Sequence, residues 1–195
     1  MSTESSSSSP SPSSSEKKTS QKQADTRDDK ALPKLTPAEF RVYNRMAEHM
    51  DQFHNHFRLS WNELYNACAN NKRPAGMSIR QFINRGLTFV SQLNMHHQIE
   101  EQSIFPVLAR KMPEFRRDVH LLKQHRQIHA GLDRLEAYLE KCRTGETELQ
   151  LDEMKRVMDG FGTVLWAHLD DEVRALGAEN MRRYWTAEEM KRLPM

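Results

Sequence analysis

The chain has 195 residues, enough for one domain and a tail, and carries 29 basic against 27 acidic side chains. The net charge of +2 gives no reason to expect a nucleic-acid partner, because proteins that bind nucleic acids concentrate basic residues on one face. A membrane-spanning helix needs about 20 consecutive, mostly apolar residues, and the sequence contains no such run. It also lacks an apolar signal region near its start, so we expect neither a membrane protein nor a secreted one.

Cysteine usage indicates a reducing compartment. Cys68 and Cys142 are the two cysteines of the chain, too few for the disulfide framework of a small secreted domain. We therefore expect both to be free thiols, and the sequence predicts a cytoplasmic protein.

The first part of the chain differs in composition from the rest. Serine accounts for 11 of the first 20 residues, and residues 1–34 contain almost no large apolar side chains. Such a segment cannot bury enough apolar surface to offset the conformational entropy that ordering costs. The sequence therefore predicts a disordered tail at 1–34 and one folded domain at 35–195, with a core at about 37–177.

Capping motifs mark the beginnings of the first two predicted helices. Thr36 is followed by Glu39, and Ser78 is followed by Gln81, so each pair forms the capping box typical of a helix N-terminus. Apolar residues then recur every three or four positions, which indicates amphipathic helices. The first helix is expected to end at the turn-forming residues of 70–76.

The same periodicity predicts two further long helices, at about 114–141 and 148–176. A third capping box, formed by Thr186 and Glu189, predicts a short helix near the C-terminus. No stretch alternates apolar and polar residues as a half-buried strand would. Four long helices with short connections favour an all-α fold, an up-down four-helix bundle with a short C-terminal helical cap.

Polar residues interrupt the apolar stripes of all four long helices. His96 and Glu100 are four residues apart, which places them on one helix face about 6 Å apart along the axis. The same spacing recurs in the third and fourth helices, and the first helix offers one histidine beside its apolar stripe. The candidate site residues are His54, His96, Glu100, His125, His129, His168 and Glu172.

Imidazoles and carboxylates converging in one buried layer predict a site for two metal ions. Buried groups of this kind need hydrogen bonds or a cation to offset the loss of their hydration. Glu100 and Glu172 are expected to bridge the two ions, and the histidines to fill terminal positions. Imidazole with carboxylate favours iron, with zinc or manganese as the alternatives, and no set of thiolates lies nearby. We therefore expect two non-haem iron ions with an oxo or hydroxo bridge.

Four segments of the chain together resemble the hemerythrin-like proteins that contain an HHE cation-binding domain. They are HNHFR at 54–58, HHQIEE at 96–101 with IFP at 104–106, HRQIH at 125–129, and HLDDE at 168–172. The resemblance covers about 37–177 and implies a four-helix bundle around a di-iron site. True hemerythrins place an aspartate five residues after the last histidine, where this chain has Val173. The acid comes one residue earlier as Glu172, as in many HHE-domain relatives.

The spacing leaves the pair in the second helix open. His97 and Glu101 share the spacing of His96 and Glu100, one residue out of phase. We prefer His96 and Glu100, because this pair continues the apolar stripe of the helix.

Other neighbours of the candidates also have two interpretations. His54 is preferred over His56, which lies about 200° away around the helix. Glu101, Asp170 and Asp171 either orient ligand imidazoles through hydrogen bonds or are solvated surface acids. Glycines inside the helical patterns indicate close helix packing, the preferred interpretation, or a path for small molecules to the metals. These glycines are Gly86, Gly131, Gly160 and Gly162.

The predicted function is that of a non-haem di-iron protein that binds or senses O2, NO or iron. A site rich in neutral imidazole, with two carboxylates, stabilises high-valent iron less than a carboxylate-rich site, so binding is preferred over oxygenation. One alternative is a di-iron redox enzyme for peroxide or NO reduction or for iron–sulfur repair, as the resemblance implies. Another is a regulatory module whose metal controls the stability of the bundle. The expected partner is a small diatomic ligand, not a nucleic acid or a membrane.

Overall fold

The structure is a computed structural model, and it describes residues 32–116 and 120–194. The predicted tail lies outside the described residues up to residue 31, so its disorder stays a prediction. Leu35–Met195 form one compact unit. The described residues contain helices and no strand, which confirms the all-α class. The helices are α1 (Pro37–Ala69), α2 (Ile79–Ile99), α3 (Phe105–Leu108), α4 (His120–Thr144), α5 (Leu151–Ala175), α6 (Ala178–Tyr184) and α7 (Ala187–Met190).

The three predicted capping boxes are confirmed. The Thr36 hydroxyl accepts a hydrogen bond from the backbone N–H of Glu39 (3.3 Å), and the Glu39 carboxylate accepts one from the backbone N–H of Thr36 (2.8 Å). Ser78 and Gln81 make the same reciprocal pair at α2, and Thr186 makes it with the third residue of α7. Each box satisfies backbone donors that the first turn of a helix leaves unpaired.

The four long helices contact one another in a closed order. α5 packs against α1 and α4, and α2 packs against α4 and α1. This packing is consistent with the predicted up-down bundle. α6 and α7 lie against α1, and Met181, Trp185 and Met190 are buried there as a C-terminal cap. In the part of the chain that is described, no helix has both the length and the apolar composition needed to cross a membrane.

The interior consists of two apolar clusters separated by a polar layer. The first apolar cluster includes Phe57, Leu93, Ile128, Phe161 and Leu165. The second apolar cluster includes Met50, Ile104, Leu121, Leu176 and Trp185. Along α1, His54 lies between Met50 of the second cluster and Phe57 of the first. The candidate residues of the other long helices occupy the same level, so the apolar clusters close the polar layer at both ends.

A π-helical segment, Glu100–Ile104, joins α2 to α3. The backbone N–H of Phe105 donates to the Glu100 carbonyl, five residues back. Pro106 follows and has no N–H of its own to donate, which explains why the regular ladder is interrupted just before it. The interruption before Pro106 therefore takes the form of a π-turn, a feature that recurs at functional sites.

The predicted start of the third long helix at 114 is wrong. Pro113–Phe115 form a 3-10 turn, Arg116 is extended, and the described part of α4 begins at His120. Phe115 is 1% exposed and belongs to the second apolar cluster. Burying this ring directs the chain inward before α4, and the periodicity of one segment carries no signal of such a contact.

Candidate metal centre

Six polar side chains are completely buried at the level of the polar layer. They come from all four long helices and from the π-turn, and each is 0% exposed: His54, His97, Glu100, His125, His168 and Glu172. His96 lies beside them with its side chain 10% exposed. Imidazole and carboxylate groups are rarely buried to this extent unless they are paired or bind a metal.

Glu100 lies between two sets of histidines. Its Oε1 is 2.8 Å from His96 Nε2, and its Oε2 is 3.5 Å from His125 Nε2. The two oxygens of one carboxylate therefore face imidazoles from different helices.

Glu172 has an equivalent position on α5. Its Oε2 is 3.4 Å from His54 Nε2 and 3.4 Å from His168 Nε2. His125 Nε2 and His168 Nε2 approach within 3.2 Å of each other. The inward atoms form three groups, within each of which the ligand atoms lie within 4.8 Å of one another: His97, Glu100, His125 and His168; His54, His96 and Glu100; His54, His168 and Glu172.

Most of the inward-facing atoms have no hydrogen-bond partner. Both oxygens of Glu100, both oxygens of Glu172 and the Nε2 atoms of His54 and His96 are buried and unpaired. His97 leaves both of its ring nitrogens in this state. Each unpaired buried polar group costs about 1–3 kcal/mol, and a cation would satisfy several at once. The residues present therefore fit a metal site.

Outer hydrogen bonds fix the orientation of several imidazoles. His54 Nδ1 donates to the Leu169 carbonyl (2.9 Å), and His125 Nδ1 donates to the Glu101 carboxylate (2.7 Å). With the proton on Nδ1, the lone pair of Nε2 points into the layer. This arrangement is typical of histidines that bind metals.

Burial keeps the imidazoles neutral. It lowers the pKa of His96 to about 4 and that of His168 to about 3. Burial also lowers the pKa of His97 and His125 below the usual histidine value. At neutral pH these rings are therefore unprotonated and have a lone pair to offer a metal ion.

The two carboxylates respond differently to the same surroundings. Burial, followed by the charge of Glu172, raises the pKa of Glu100 well above its usual value. Burial acts in the same direction on Glu172, but the His54 ring and the nearby His168 and His125 outweigh it and lower its pKa. Without a cation the layer therefore favours one ionised carboxylate over two, and a cation would favour ionisation of both.

The metal-free protein is expected to lose stability as the pH falls from about 6.5. His96 and His168 have pKa values of about 4 and about 3 in the folded protein, below the usual histidine value of 6.5. Below pH 6.5 the unfolded chain therefore binds protons that the folded chain cannot, and each such imidazole removes at most about 1.4 kcal/mol per pH unit. The raised pKa of Glu100 has the opposite effect, because the folded chain then binds a proton more readily than the unfolded chain. This single carboxyl group is outnumbered by the buried imidazoles.

Urea unfolding of the metal-free protein at about pH 7.5 and pH 5 measures this change. An equal free energy of unfolding at both values would show that the imidazoles titrate normally.

Six of the seven residues predicted from the sequence come together in these groups. His129 joins none of them, although its Nδ1 donates to Asn94 Oδ1 (2.9 Å) and its ring is half-buried. His97 belongs to the pair that the sequence does not favour, yet the structure buries it completely. Glu101 keeps a side chain that is 40% exposed, as expected for the carboxylate that does not enter the layer. The role of the predicted residues as metal ligands stays a prediction.

Of the three acidic residues that could orient ligand imidazoles, one contacts an imidazole of the layer and two do not. Glu101 contacts the His125 ring, whereas Asp170 pairs with Arg58 (2.6 Å) at the surface. Asp171 accepts from Gln124 (3.0 Å) and lies 3.1 Å from the exposed His120, so it orients no imidazole of the layer.

Replacing Glu101 with alanine is expected to weaken metal binding by about 10–100-fold, because His125 loses the acceptor that fixes its tautomer and ring orientation. Competition with a chromophoric chelator measures the dissociation constant. Asp170→Ala is the matched control, since Asp170 contacts no imidazole of the layer. The metal affinity of this variant is expected to equal that of the wild type. Equal affinities for all three proteins would argue against the orienting role of Glu101.

A buried layer of imidazoles and carboxylates inside packed helices defines a helical metal-binding domain. Residues 45–178 match the model of the hemerythrin HHE cation binding domain. The match covers more than half of the chain, so the chain belongs to this family, and the resemblance inferred from the sequence is confirmed. Its cluster is accordingly one that is capable of binding metal ions.

The chain is also similar to "Dimeric xanthone biosynthesis cluster protein R11" of Cryptosporiopsis sp. (strain 8999). The two are 27% identical over 150 residues, which cover 74% of this chain and 56% of that protein. The chain thus matches little more than half the length of this relative. No solved structure matches the chain.

Proposed function

We propose that the protein binds two non-haem iron ions in this cluster and through them binds or senses O2, NO or the availability of iron. The position of Glu100 carries this proposal, because one of its oxygens lies near His96 and the other near His125. A carboxylate placed in this way fits a bridge between two ions. Glu172 supports the same interpretation, since it lies between histidines of α1 and α5.

The donor set supports iron as the metal. Neutral imidazole and carboxylate together suit iron, and the burial that lowers the pKa of the histidines keeps them in the binding form. No cysteine joins the groups of potential ligands among the described residues. Cys68 lies in the first apolar cluster, so the thiolates that favour a structural zinc site are not available to the layer.

Aromatic rings pack against the layer, which favours a small ligand over a bulky one. The ring of Phe57 lies 5.0 Å from that of His96, and the ring of Phe105 lies 5.3 Å from that of His125. His96 is the member of the groups that is not completely buried, so its edge of the layer is nearest to solvent. Bound iron would supply the capacity to bind a diatomic ligand and to change oxidation state. The chain itself holds the neutral imidazoles in place and excludes bulk water.

Anaerobic loading with Fe(II), followed by exposure to O2 or NO, tests the proposal. We expect about two iron ions per chain and new absorption in the near-ultraviolet and visible range after exposure to at least one of the gases. Two bound ions per chain with no spectral change for either gas would defeat the ligand-binding role.

A second candidate is a di-iron redox enzyme, and the name of the relative favours it, because that protein is named for a xanthone biosynthesis cluster. Steady-state consumption of H2O2 or NO by the iron-loaded protein, with an added electron donor, distinguishes the candidates. Binding or sensing predicts a spectral change without sustained turnover, whereas the enzyme predicts turnover that scales with the iron content.

A further inference from the structure

We propose that His97, and not His129, is the third imidazole ligand of the ion that His125 and His168 hold. This assignment rests on the proposed function, since it specifies which side chains of the layer bind one of the two ions. It differs from the set of ligands predicted from the sequence, which includes His129 and omits His97.

His97 is a buried imidazole without hydrogen bonds. The side chain is 0% exposed, and neither ring nitrogen has a hydrogen-bond partner. An imidazole in this condition has lost its hydration without compensation, which a folded protein tolerates when the group has another function. His97 is the one histidine among the described residues that leaves both ring nitrogens buried and unpaired.

The position of His97 identifies that function. A ring nitrogen of His97 lies within 4.8 Å of ligand atoms from Glu100, His125 and His168. The His97 ring stacks on the His125 ring, with a centroid separation of 4.0 Å and an angle of 15° between the planes. It therefore lies beside the other two imidazoles of the group and faces the same inner space.

His129 occupies a different position. Its Nδ1 donates to Asn94 Oδ1 on α2, a bond of the kind that also orients metal-binding histidines, but His129 contributes no atom to the groups of potential ligands in the described residues. Its ring meets the His97 ring edge-on, with centroids 5.2 Å apart. His129 thus packs behind His97 and is a positioning residue for that ring.

Helix geometry explains how α2 serves both ions. Consecutive residues are about 100° apart around a helix, so His96 and His97 face different sides of the layer. Glu100 is four residues after His96 and three after His97, and both spacings return to the same helix face. The turn that joins the end of α2 to the π-helical segment would therefore offer an imidazole to each ion and a carboxylate to both. The resulting distribution is three imidazoles (His97, His125, His168) for one ion and two (His54, His96) for the other.

The test compares the full-length variants His97→Leu and His129→Leu, each loaded anaerobically with Fe(II), freed of excess iron and analysed for iron per chain. His56→Ala is the control, because His56 is an exposed histidine of α1 that contacts Gln92. We expect about one ion in His97→Leu and about two in His129→Leu, His56→Ala and the wild type.

Metal-free His97→Leu is also expected to melt at a higher temperature than the metal-free wild type, since it no longer buries an unpaired imidazole. If the leucine prevents folding, His97→Gln replaces it with the same expected iron content.

Two ions in His97→Leu, or one in His129→Leu, would overturn the assignment while leaving the di-iron function intact. A wild type that binds fewer than two ions would defeat the proposed function itself, and the assignment with it. The two failures are therefore distinguishable.

Discussion

Replacing Glu100 with glutamine is expected to reduce the iron content from about two ions per chain to one or none. The amide keeps the size of the side chain but removes the negative charge and one of the two anionic oxygens that face His96 and His125. Loss of a group that only orients a ligand costs about 10–100-fold in metal affinity. Loss of a bridging carboxylate is therefore expected to cost more than 100-fold.

Iron analysis and chelator competition on the purified variant measure this effect. Glu136→Gln is the matched control, because Glu136 is an exposed residue of α4. The metal-free Glu100→Gln protein is expected to fold about as well as the metal-free wild type, since burial raises the pKa of Glu100 and favours a neutral carboxyl group, and the amide is neutral as well. A variant that retains two tightly bound ions would exclude Glu100 as a bridge.

Replacing Gly131 with alanine is expected to lower the free energy of unfolding by about 3 kcal/mol or more. A Cβ atom at this position would lie 2.5 Å from Phe161 Cβ and would also overlap the Phe161 ring. Phe161 is 2% exposed and packs edge-on against Trp61 with ring centroids 5.1 Å apart. The added methyl group therefore displaces a backbone or a large ring of the first apolar cluster, which is a severe case of overpacking.

Gly160→Ala is the matched control for this prediction. Gly160 is exposed on α5, and a Cβ there would meet no atom closer than Arg134 Nη2 at 3.9 Å. Alanine is favoured over glycine in a helix by about 1 kcal/mol, so this variant is expected to be more stable than the wild type. Denaturant unfolding of both variants gives the comparison, and similar changes in stability would contradict the packing described for Gly131.

The packing interpretation of the helical glycines holds for three of the four. At Gly86, Gly131 and Gly162 an added Cβ would meet a side chain at 2.8 Å or less: Leu139, Phe161 and Trp61 respectively. Gly160 has open space instead. The sequence could identify glycines in helices, but the residue opposite each of them depends on how the helices pack.

The level of the polar layer could be predicted from the sequence because the periodicity of each helix is a local property. Capping boxes and apolar stripes placed His54, His125, His168 and Glu172 on core-facing positions, and the structure buries all four.

The choice within the second helix could not be made in the same way. His96 and His97 follow Leu93 by three and four residues, and both spacings lie on the same face. The structure puts both imidazoles in the groups of potential ligands. His129 has the correct spacing from His125, but its orientation depends on Asn94, a residue of another helix.

The central claim is that side chains from four helices share two iron ions. Elemental analysis of the full-length protein, reconstituted anaerobically with Fe(II) and freed of excess metal, tests it most directly. We predict about two iron ions per chain for the wild type and none for the double variant Glu100→Gln with Glu172→Gln. An equal iron content in the two proteins would contradict the claim, because iron would then bind outside the buried layer.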